Sequence, residues 1–97
     1  MYLIAWAKKP VAYLSCHMQA LLHHGGEVAE IQEMYVVPEQ RGHGIGKQLV
    51  DKLKGILRRR KVKRIEVTSQ VYRRKAHKFY EGENFKLTSR KFVCVDF

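Results

Sequence analysis

Apolar residues open the chain in two nearly continuous blocks, at residues 2–7 and 11–18. Lys8, Lys9 and Pro10 separate the blocks, and this mixture of lysine and proline is typical of a turn. Short apolar runs on either side of a turn predict paired strands. The first 18 residues therefore predict a β-hairpin.

A third strand is predicted over residues 30–37, where apolar and polar positions alternate. Pro38 ends this strand because proline cannot continue the ladder of a central strand. Between the hairpin and this strand, residues 19–27 contain Gly25 and Gly26 and predict a loop.

A helical period replaces the strand pattern after residue 44. The apolar positions are spaced at steps of 4, 1, 4, 3 and 1 and form one face: Ile45, Leu49, Val50, Leu53, Ile56 and Leu57. The rest of the chain predicts a strand at 64–69, a helix at 73–81 and closing strands at 85–87 and 92–95. The predicted element order is β-β-β-α-β-α-β-β.

Length and composition indicate a single globular domain over residues 1–97, since 45% of the residues are apolar and 29% are charged. No run of about 18 apolar residues occurs, so we expect no membrane span. Two cysteines, Cys16 and Cys94, are too few for a disulfide framework and indicate core positions in a reducing cytoplasm. The histidines and cysteines lack the spacing of a zinc site, so we expect no metal.

Charge divides the chain at Arg41. Residues 1–40 carry two lysines against four glutamates, a net charge of −2, whereas residues 41–97 carry 17 Lys or Arg against five acids, a net charge of +12. This excess predicts an anionic partner: nucleic acid, an acidic membrane surface or a polyphosphate cofactor. The basic run Arg58–Arg64 has no interleaved aromatic residues, which favours a solvated helix end over specific RNA binding.

Positive charge and glycine coincide in the segment that joins the third strand to the first helix. Gly42–Gly46 holds three glycines in five positions, so the backbone can approach a ligand closely. The helix that follows presents free N–H groups in its first turn, and Arg41 and Lys47 add a formal charge at either end. The segment predicts an anion site suited to a pyrophosphate.

Two common phosphate-binding patterns do not fit this segment. For a P-loop, Gly42 and Gly46 are one residue too close, and Gln48 stands where a hydroxyl residue should bind magnesium. The dinucleotide pattern G-x-G-x-x-G fails at Lys47.

The pattern that does fit is R-G-x-G-I-G after a strand ending in V-x-P. It closely resembles the coenzyme A loop of the GNAT family of N-acetyltransferases, whose pattern (Q/R)-x-x-G-x-(G/A) is met by Arg41, Gly44 and Gly46. Residues 69–85 read S-x-x-x-R-x-x-A-H-x-F-Y-E-x-x-N-F and resemble a region that often reads A-H-x-F-Y-E-x-x-G-F in that family. Two motifs in the right order extend the resemblance to essentially the whole chain.

The resemblance implies an α/β fold with a mixed, mostly antiparallel sheet and one parallel strand–helix–strand crossover. It also implies acetyl-coenzyme A as the acetyl donor, held by the strand end, the loop and the second motif. The residues assigned to the cofactor in this way are Val36, Val37, Arg41, Gly42, His43, Gly44, Ile45, Gly46, Lys47 and Arg73.

The resemblance also implies the catalytic residues. Tyr80 matches a tyrosine that often protonates the departing thiolate, and a phenol can act as such a general acid. A general base is expected on the third strand, where Glu33 is the first choice and Glu30 the second, because Gln32 cannot accept a proton. We expect His43 to be an exposed loop residue.

Two departures from the family pattern affect these expectations. Asn84 replaces the usual glycine before Phe85, and asparagine tolerates the left-handed conformation that this turn needs. The family normally begins with a strand and two helices that wall the acceptor site, whereas this chain starts near the second strand. We therefore expect an N-terminally abbreviated domain that exposes an edge and an apolar surface, and a homodimer that covers them.

The expected reaction is direct acetyl transfer from acetyl-coenzyme A to a primary amine on a small molecule or a protein. One alternative is a coenzyme A-binding module that does not catalyse, or that a partner chain completes. A small basic nucleic-acid-binding protein is a further and less favoured alternative. The acceptor stays open among small amines, polyamines, aminoglycoside-like compounds and protein amino groups.

Overall fold

The computed structural model describes residues 1–21, 26–67, 74–88, 92–95 and 97. Within those ranges the elements are β1 Tyr2–Trp6, β2 Pro10–Leu21, β3 Gly26–Val36, α1 Ile45–Arg59, β4 Arg64–Val67, α2 Arg74–Gly82, β5 Lys86–Leu87 and β6 Phe92–Cys94. A short 3-10 turn, Pro38–Gln40, follows β3. The element order predicted from the sequence is confirmed.

The strands form one mixed sheet in the order β1-β2-β3-β4-β6-β5. All neighbouring pairs in this described sheet are antiparallel except β3 and β4, which are parallel and joined through α1. A parallel pair requires a long crossover, and a helix is its usual form. The predicted α/β fold, with a mostly antiparallel sheet and one parallel crossover, is confirmed.

Strands β2 and β3 are longer than the sequence predicted. Gln19 pairs with Val28 and Leu21 with Gly26, so the predicted loop over residues 19–27 is wrong at both ends. The extra length comes from cross-strand backbone pairing, which the weak periodicity of this polar and glycine-rich segment does not reveal. Residues 22–25, the middle of that predicted loop, lie outside the described residues.

A β-bulge interrupts the pairing of β2 with β3. Ser15 lies opposite Glu33 and Cys16 lies opposite Ile31, which leaves Gln32 as an extra residue on β3. Because side chains alternate along a strand, one extra residue moves every later side chain to the other face. Ile31 and Met34 consequently both face the core, three positions apart.

The parallel pairing of β3 with β4 is short, because it joins Val28–Ile31 to Arg64–Val67. Among the described residues, the rest of β3 pairs only with β2. Within the described ranges, the edge of β3 that faces away from β2 is therefore unpaired directly before the glycine-rich loop.

Both helices pack on one face of the sheet and share its core. Helix α1 contributes the fully buried side chains Val50, Leu53 and Leu57. Tyr80 of α2, Ile65 of β4 and Phe92 of β6 are fully buried in the same core. Both cysteines are buried in this core, as predicted. In the described part of the chain, neither helix combines the length and the apolar character needed to cross a membrane.

Candidate active site

The glycine-rich loop ends in a left-handed residue that starts α1. Gly44 is the N-cap, with φ 78° and ψ 11°, and no side chain caps the helix. A side chain at this φ is strained, so glycine suits the position. The first intrahelical bond runs from the Gln48 N–H to the Gly44 carbonyl at 3.0 Å. The N–H groups of residues 45–47 therefore have no intrahelical acceptor and can bind an anion.

Gly46 permits a close approach between the start of α1 and α2. A Cβ atom at this position would lie 3.3 Å from Phe79 Cε1 and 3.4 Å from Phe79 Cζ. These separations are tighter than ordinary van der Waals contacts, so a larger side chain would displace the Phe79 ring. Phe79 thereby forms a wall beside the N-terminus of α1.

Arg41 is folded back onto the end of β3. Its Nε donates a hydrogen bond to the Val36 carbonyl at 2.8 Å, and its guanidinium carbon lies 5.4 Å from the centroid of the Tyr35 ring. The bond uses only Nε, and the two terminal NH₂ groups are those that bind phosphate oxygens in pairs. The side chain is thus oriented before any ligand arrives.

Lys47 supplies the second cation of the loop. Its Nζ lies 3.1 Å from Asp51 Oδ2 and 3.6 Å from Glu83 Oε1. The hydrogen bond to Asp51 and then the charge of Glu83 raise the pKa of the Lys47 ammonium, which is therefore charged at neutral pH. Glu83 is the buried partner, with 8% of its side chain exposed, whereas Asp51 is half exposed.

These elements surround a groove of about 280 Å³ on the helix side of β3. The described residues that line it are Met34, Val36, Gln40, Arg41, Gly42, Gly44, Ile45, Gly46, Lys47, Phe79 and Glu83. Seven of the ten residues assigned to the cofactor therefore meet in one groove. His43 is exposed and is not part of the lining, and Arg73 lies outside the described residues.

The backbone groups of Val36 and Val37 point to opposite edges of β3. The Val37 N–H donates to the Val11 carbonyl at 2.8 Å, which engages it on the β2 side. Backbone groups alternate in direction along a strand, so those of Val36 point to the open edge, where its carbonyl meets Arg41. Val37 does not line the groove; its side chain lies on the other face of the sheet.

Tyr80 lies in the core behind the wall of the groove. Its ring centroid is 5.2 Å from that of Phe79 and 5.4 Å from that of Phe85. Only 1% of Tyr80 is exposed, and its hydroxyl has no hydrogen-bond partner among the described residues. Burial raises the pKa of the phenol to about 12, so it carries its proton at every physiological pH.

Glu33 lies on the opposite face of β3 from the groove. Its Oε2 accepts a hydrogen bond of 2.9 Å from the Tyr13 hydroxyl, and the side chain is exposed. This bond is the largest cause of the raised pKa of Tyr13. Glu30, the second candidate base, is half-buried nearer the start of β3, level with Glu66 of β4.

Four groove residues were not predicted from the sequence: Met34, Gln40, Phe79 and Glu83. Phe79 was placed only on an apolar helix face, and Glu83 was not assigned any role. Both lie in the second family-like motif, so the proximity of that motif to the loop was the available signal. Glu83 is buried beside Lys47 because α2 packs against α1. A single sequence does not reveal this packing.

The basic run Arg58–Arg64 lies at the C-terminal end of α1. A helix of 15 residues is roughly 22 Å long, so this run is separated from the groove by the length of the helix. Arg60 lies 3.5 Å from Glu27, and Arg64 donates a 2.7 Å bond to Glu66. In the described part of the chain, His, Cys, Asp and Glu side chains form no group of three that could hold a metal ion.

Comparison with known proteins identifies the family. Residues 1–85 match the Acetyltransferase (GNAT) family. The chain belongs to the GNAT family. A GNAT relative, the aminoalkylphosphonate N-acetyltransferase of Salmonella typhimurium, is 38% identical over 83 residues, which are 86% of this chain and 54% of that protein.

Solved structures of low sequence identity share the GNAT fold. The NatC complex bound to Gag peptide and CoA aligns with a TM-score of 0.81 and 22% identity over 93% of this chain and 64% of that chain. The PaiA N-acetyltransferase of Thermoplasma acidophilum, in complex with coenzyme A, gives a TM-score of 0.72 and 20% identity over 96% and 57%. The chain thus spans about half to two thirds of the proteins it resembles.

Proposed function

We propose that the chain transfers the acetyl group of acetyl-coenzyme A to a primary amine. The observation that carries the proposal is the groove in which the N-terminus of α1 meets Arg41 and Lys47. Backbone N–H groups, the helix dipole and two cations suit a pyrophosphate, and the open edge of β3 suits an extended pantetheine arm. Among the residues of the strand end, Val36 is the one whose backbone is directed to that arm.

The reaction is a direct attack on the thioester. The ammonium group of the acceptor loses one proton to Glu33, and the neutral nitrogen adds to the acetyl carbonyl carbon. The surplus proton on the nitrogen then passes to solvent as the amide forms. The new C–N bond forms, the C–S bond breaks, and the sulfur leaves as a thiolate. We assign Glu33 rather than Glu30 because Glu33 lies past the bulge, beyond the residues of β3 that pair with the described part of β4.

Tyr80 is the proposed donor to the departing sulfur. Its buried hydroxyl without a partner supports this role, because a buried donor that lacks an acceptor costs stability unless a ligand completes it. Full proton transfer from a phenol of pKa about 12 to a thiolate of pKa about 8.5 is uphill. Tyr80 therefore acts mainly by donating a hydrogen bond to the developing negative charge, and the thiolate takes its proton from solvent.

Native mass spectrometry with acetyl-coenzyme A tests the cofactor site. We expect Arg41→Ala to weaken binding about 10- to 100-fold, the range for a hydrogen bond to a charged group. Arg58→Ala is the matched control, because it removes the same charge at the other end of α1 and should change binding less than twofold. Equal losses in both variants, or no binding to the unaltered chain, would contradict the site.

Release of coenzyme A thiol in the presence of amines tests catalysis. Tyr80→Phe should reduce turnover about 10- to 100-fold while acetyl-coenzyme A affinity is unchanged. Cofactor binding without any thiol release across an amine panel would instead favour the non-catalytic module.

We also propose a homodimer and a cytoplasmic location. The outer edge of β1 has no partner strand in the described sheet, and Tyr2 and Trp6 of β1 are 75% and 67% exposed. Such edges are normally paired or covered. Sedimentation should give a dimer that Trp6→Lys dissociates; a monomer at micromolar concentration contradicts it. Two cysteines buried in the core support a reducing compartment, which cell fractionation tests.

A further inference from the structure

A second cavity, of about 410 Å³, lies on the face of the sheet that the helices leave open. Tyr13 and Tyr35 alternate along their strands with the core residues Leu14 and Met34, so their rings lie on the side away from α1 and α2. Tyr2 joins them, and aliphatic side chains fill the rest of the wall. The volume is within the range of small-molecule sites, about 300–1,000 Å³.

An acidic group, Glu33, lies beside this cavity. The hydroxyl of Tyr13 donates to Glu33 at 2.9 Å, which holds the carboxylate next to the aromatic wall. Among the described residues that line the cavity, none is Lys or Arg. Arg41 lies 5.4 Å from the Tyr35 ring centroid but lines the cofactor groove instead.

We propose that this cavity is the acceptor site and that it takes a primary amine carried on an apolar, preferably aromatic, body. The apolar body is removed from water against the tyrosine and aliphatic wall. Tyrosine ring faces attract a cation, and the Glu33 carboxylate provides the opposite charge for the ammonium group. This proposal rests on the proposed acetyl transfer and adds the substrate class.

Strand β3 connects the cavity to the groove. Val36 and Met34 line the groove, whereas Tyr35 and Val37 line the cavity, so consecutive residues contact the two sites from opposite faces. An amine held at Glu33 reaches a thioester in the groove by way of the outer edge of β3, past the last residue that pairs with β4 in the described part of the chain.

The same lining opposes an acceptor with an anionic tail. A phosphonate group would need arginine, lysine or clustered N–H donors, and Glu33 would repel it. We therefore expect this chain to differ in acceptor from its relative named for aminoalkylphosphonates.

The test is a titration of the ¹⁵N-labelled chain with 2-phenylethylamine, without acetyl-coenzyme A, followed by amide NMR shifts. For a ligand of nine non-hydrogen atoms we expect a dissociation constant of about 1 mM, with shifts at Tyr13 and Tyr35. Tyr13→Leu should weaken binding at least fivefold. Leu87→Ala is the control, because Leu87 is an exposed apolar residue of β5, at the other edge of the sheet and outside the cavity lining, and its loss should leave binding unchanged.

Two further ligands separate the contributions of charge and body. 2-Phenylethanol keeps the body without the charge and should bind at least fivefold more weakly, whereas 2-aminoethylphosphonate should cause no shifts in the cavity. The proposal would be overturned by shifts confined to other surfaces, or by equal binding of the alcohol. It would also be overturned by tighter binding of the phosphonate, or by a second copy of the chain that fills the cavity. A chain that binds acetyl-coenzyme A but no amine refutes the cavity alone, and one that binds the amine but no acetyl-coenzyme A refutes the transferase alone.

Discussion

Replacement of Gly44 by alanine tests whether the left-handed start of α1 is as described. At φ 78° an L-residue costs about 1–2 kcal/mol, and the smaller entropy of the unfolded alanine chain offsets about 0.4–1 kcal/mol of this. The net loss should be about 1 kcal/mol. No atom lies within 4 Å of the position that the alanine Cβ would occupy, so a steric clash does not contribute.

Gly55→Ala is the matched change within the same helix. Gly55 lies in the interior of α1, and the nearest atom to an added Cβ is Arg58 Nη2 at 3.9 Å. Here alanine should stabilise the chain by about 0.5–1 kcal/mol through its helix propensity. The two variants should thus differ by about 1.5–2 kcal/mol, with opposite signs relative to the unaltered chain.

Thermal unfolding followed by circular dichroism measures this difference. In a domain of this size each kcal/mol shifts Tm by about 4–8 °C, so the two variants should melt roughly 6–16 °C apart. Equal melting temperatures, or a higher Tm for Gly44→Ala, would refute the left-handed conformation at Gly44 and with it the proposed N–H cradle.

Three other predictions follow from the site and the core. Glu83→Gln should tighten acetyl-coenzyme A binding several-fold by calorimetry, because the buried Glu83 carboxylate no longer competes with the cofactor for the Lys47 ammonium. Asp51→Asn should tighten binding less, because the charge of Asp51 is exposed and screened by salt. A larger effect of Asp51→Asn than of Glu83→Gln would contradict the argument. Burial raises the pKa of Tyr80 from 10.0 to about 12. Between these two values the phenol ionises in the unfolded chain but stays protonated in the folded chain, so the free energy of unfolding falls as pH rises from 10 to 12. Over that range the unaltered chain should lose about 2 kcal/mol more than Tyr80→Phe in urea titrations, and parallel curves would show that Tyr80 is not buried. Burial also raises the pKa of the Cys16 thiol, so iodoacetamide should modify it slowly until the chain unfolds, and rapid native labelling would contradict its position.

The sequence predicted the regular elements best where one face carries a clear period. Helix α1 was predicted from an apolar face that runs from Ile45 to Leu57, and it spans Ile45–Arg59, because this face meets the core along its whole length. Asn84 was expected to take the left-handed conformation and does so, with φ 70°. In both cases local chemistry and tertiary packing favour the same structure.

What the sequence did not predict depends on pairing between distant segments. The ladder between Gln19 and Val28 extends two strands into a predicted loop, and the partner strand rather than local propensity stabilises it. The burial of Glu83 likewise depends on α1, because the Lys54 ammonium donates to the Glu83 carbonyl while Lys47 approaches its carboxylate. The catalytic assignments of Tyr80 and Glu33 stay predictions.

The bulge at Gln32 keeps each of the two proposed sites on its own face of β3. If Gln32 were paired in regular register instead, Glu33, Tyr35 and Val37 would turn toward the helices, and Met34 and Val36 would turn the other way. Deletion of Gln32 removes the extra residue itself and leaves Glu33 opposite Ser15 and Met34 opposite Leu14, so both walls should keep their faces. Substitutions along β3 can therefore tune either site separately, and loss of the one residue at the bulge should spare both.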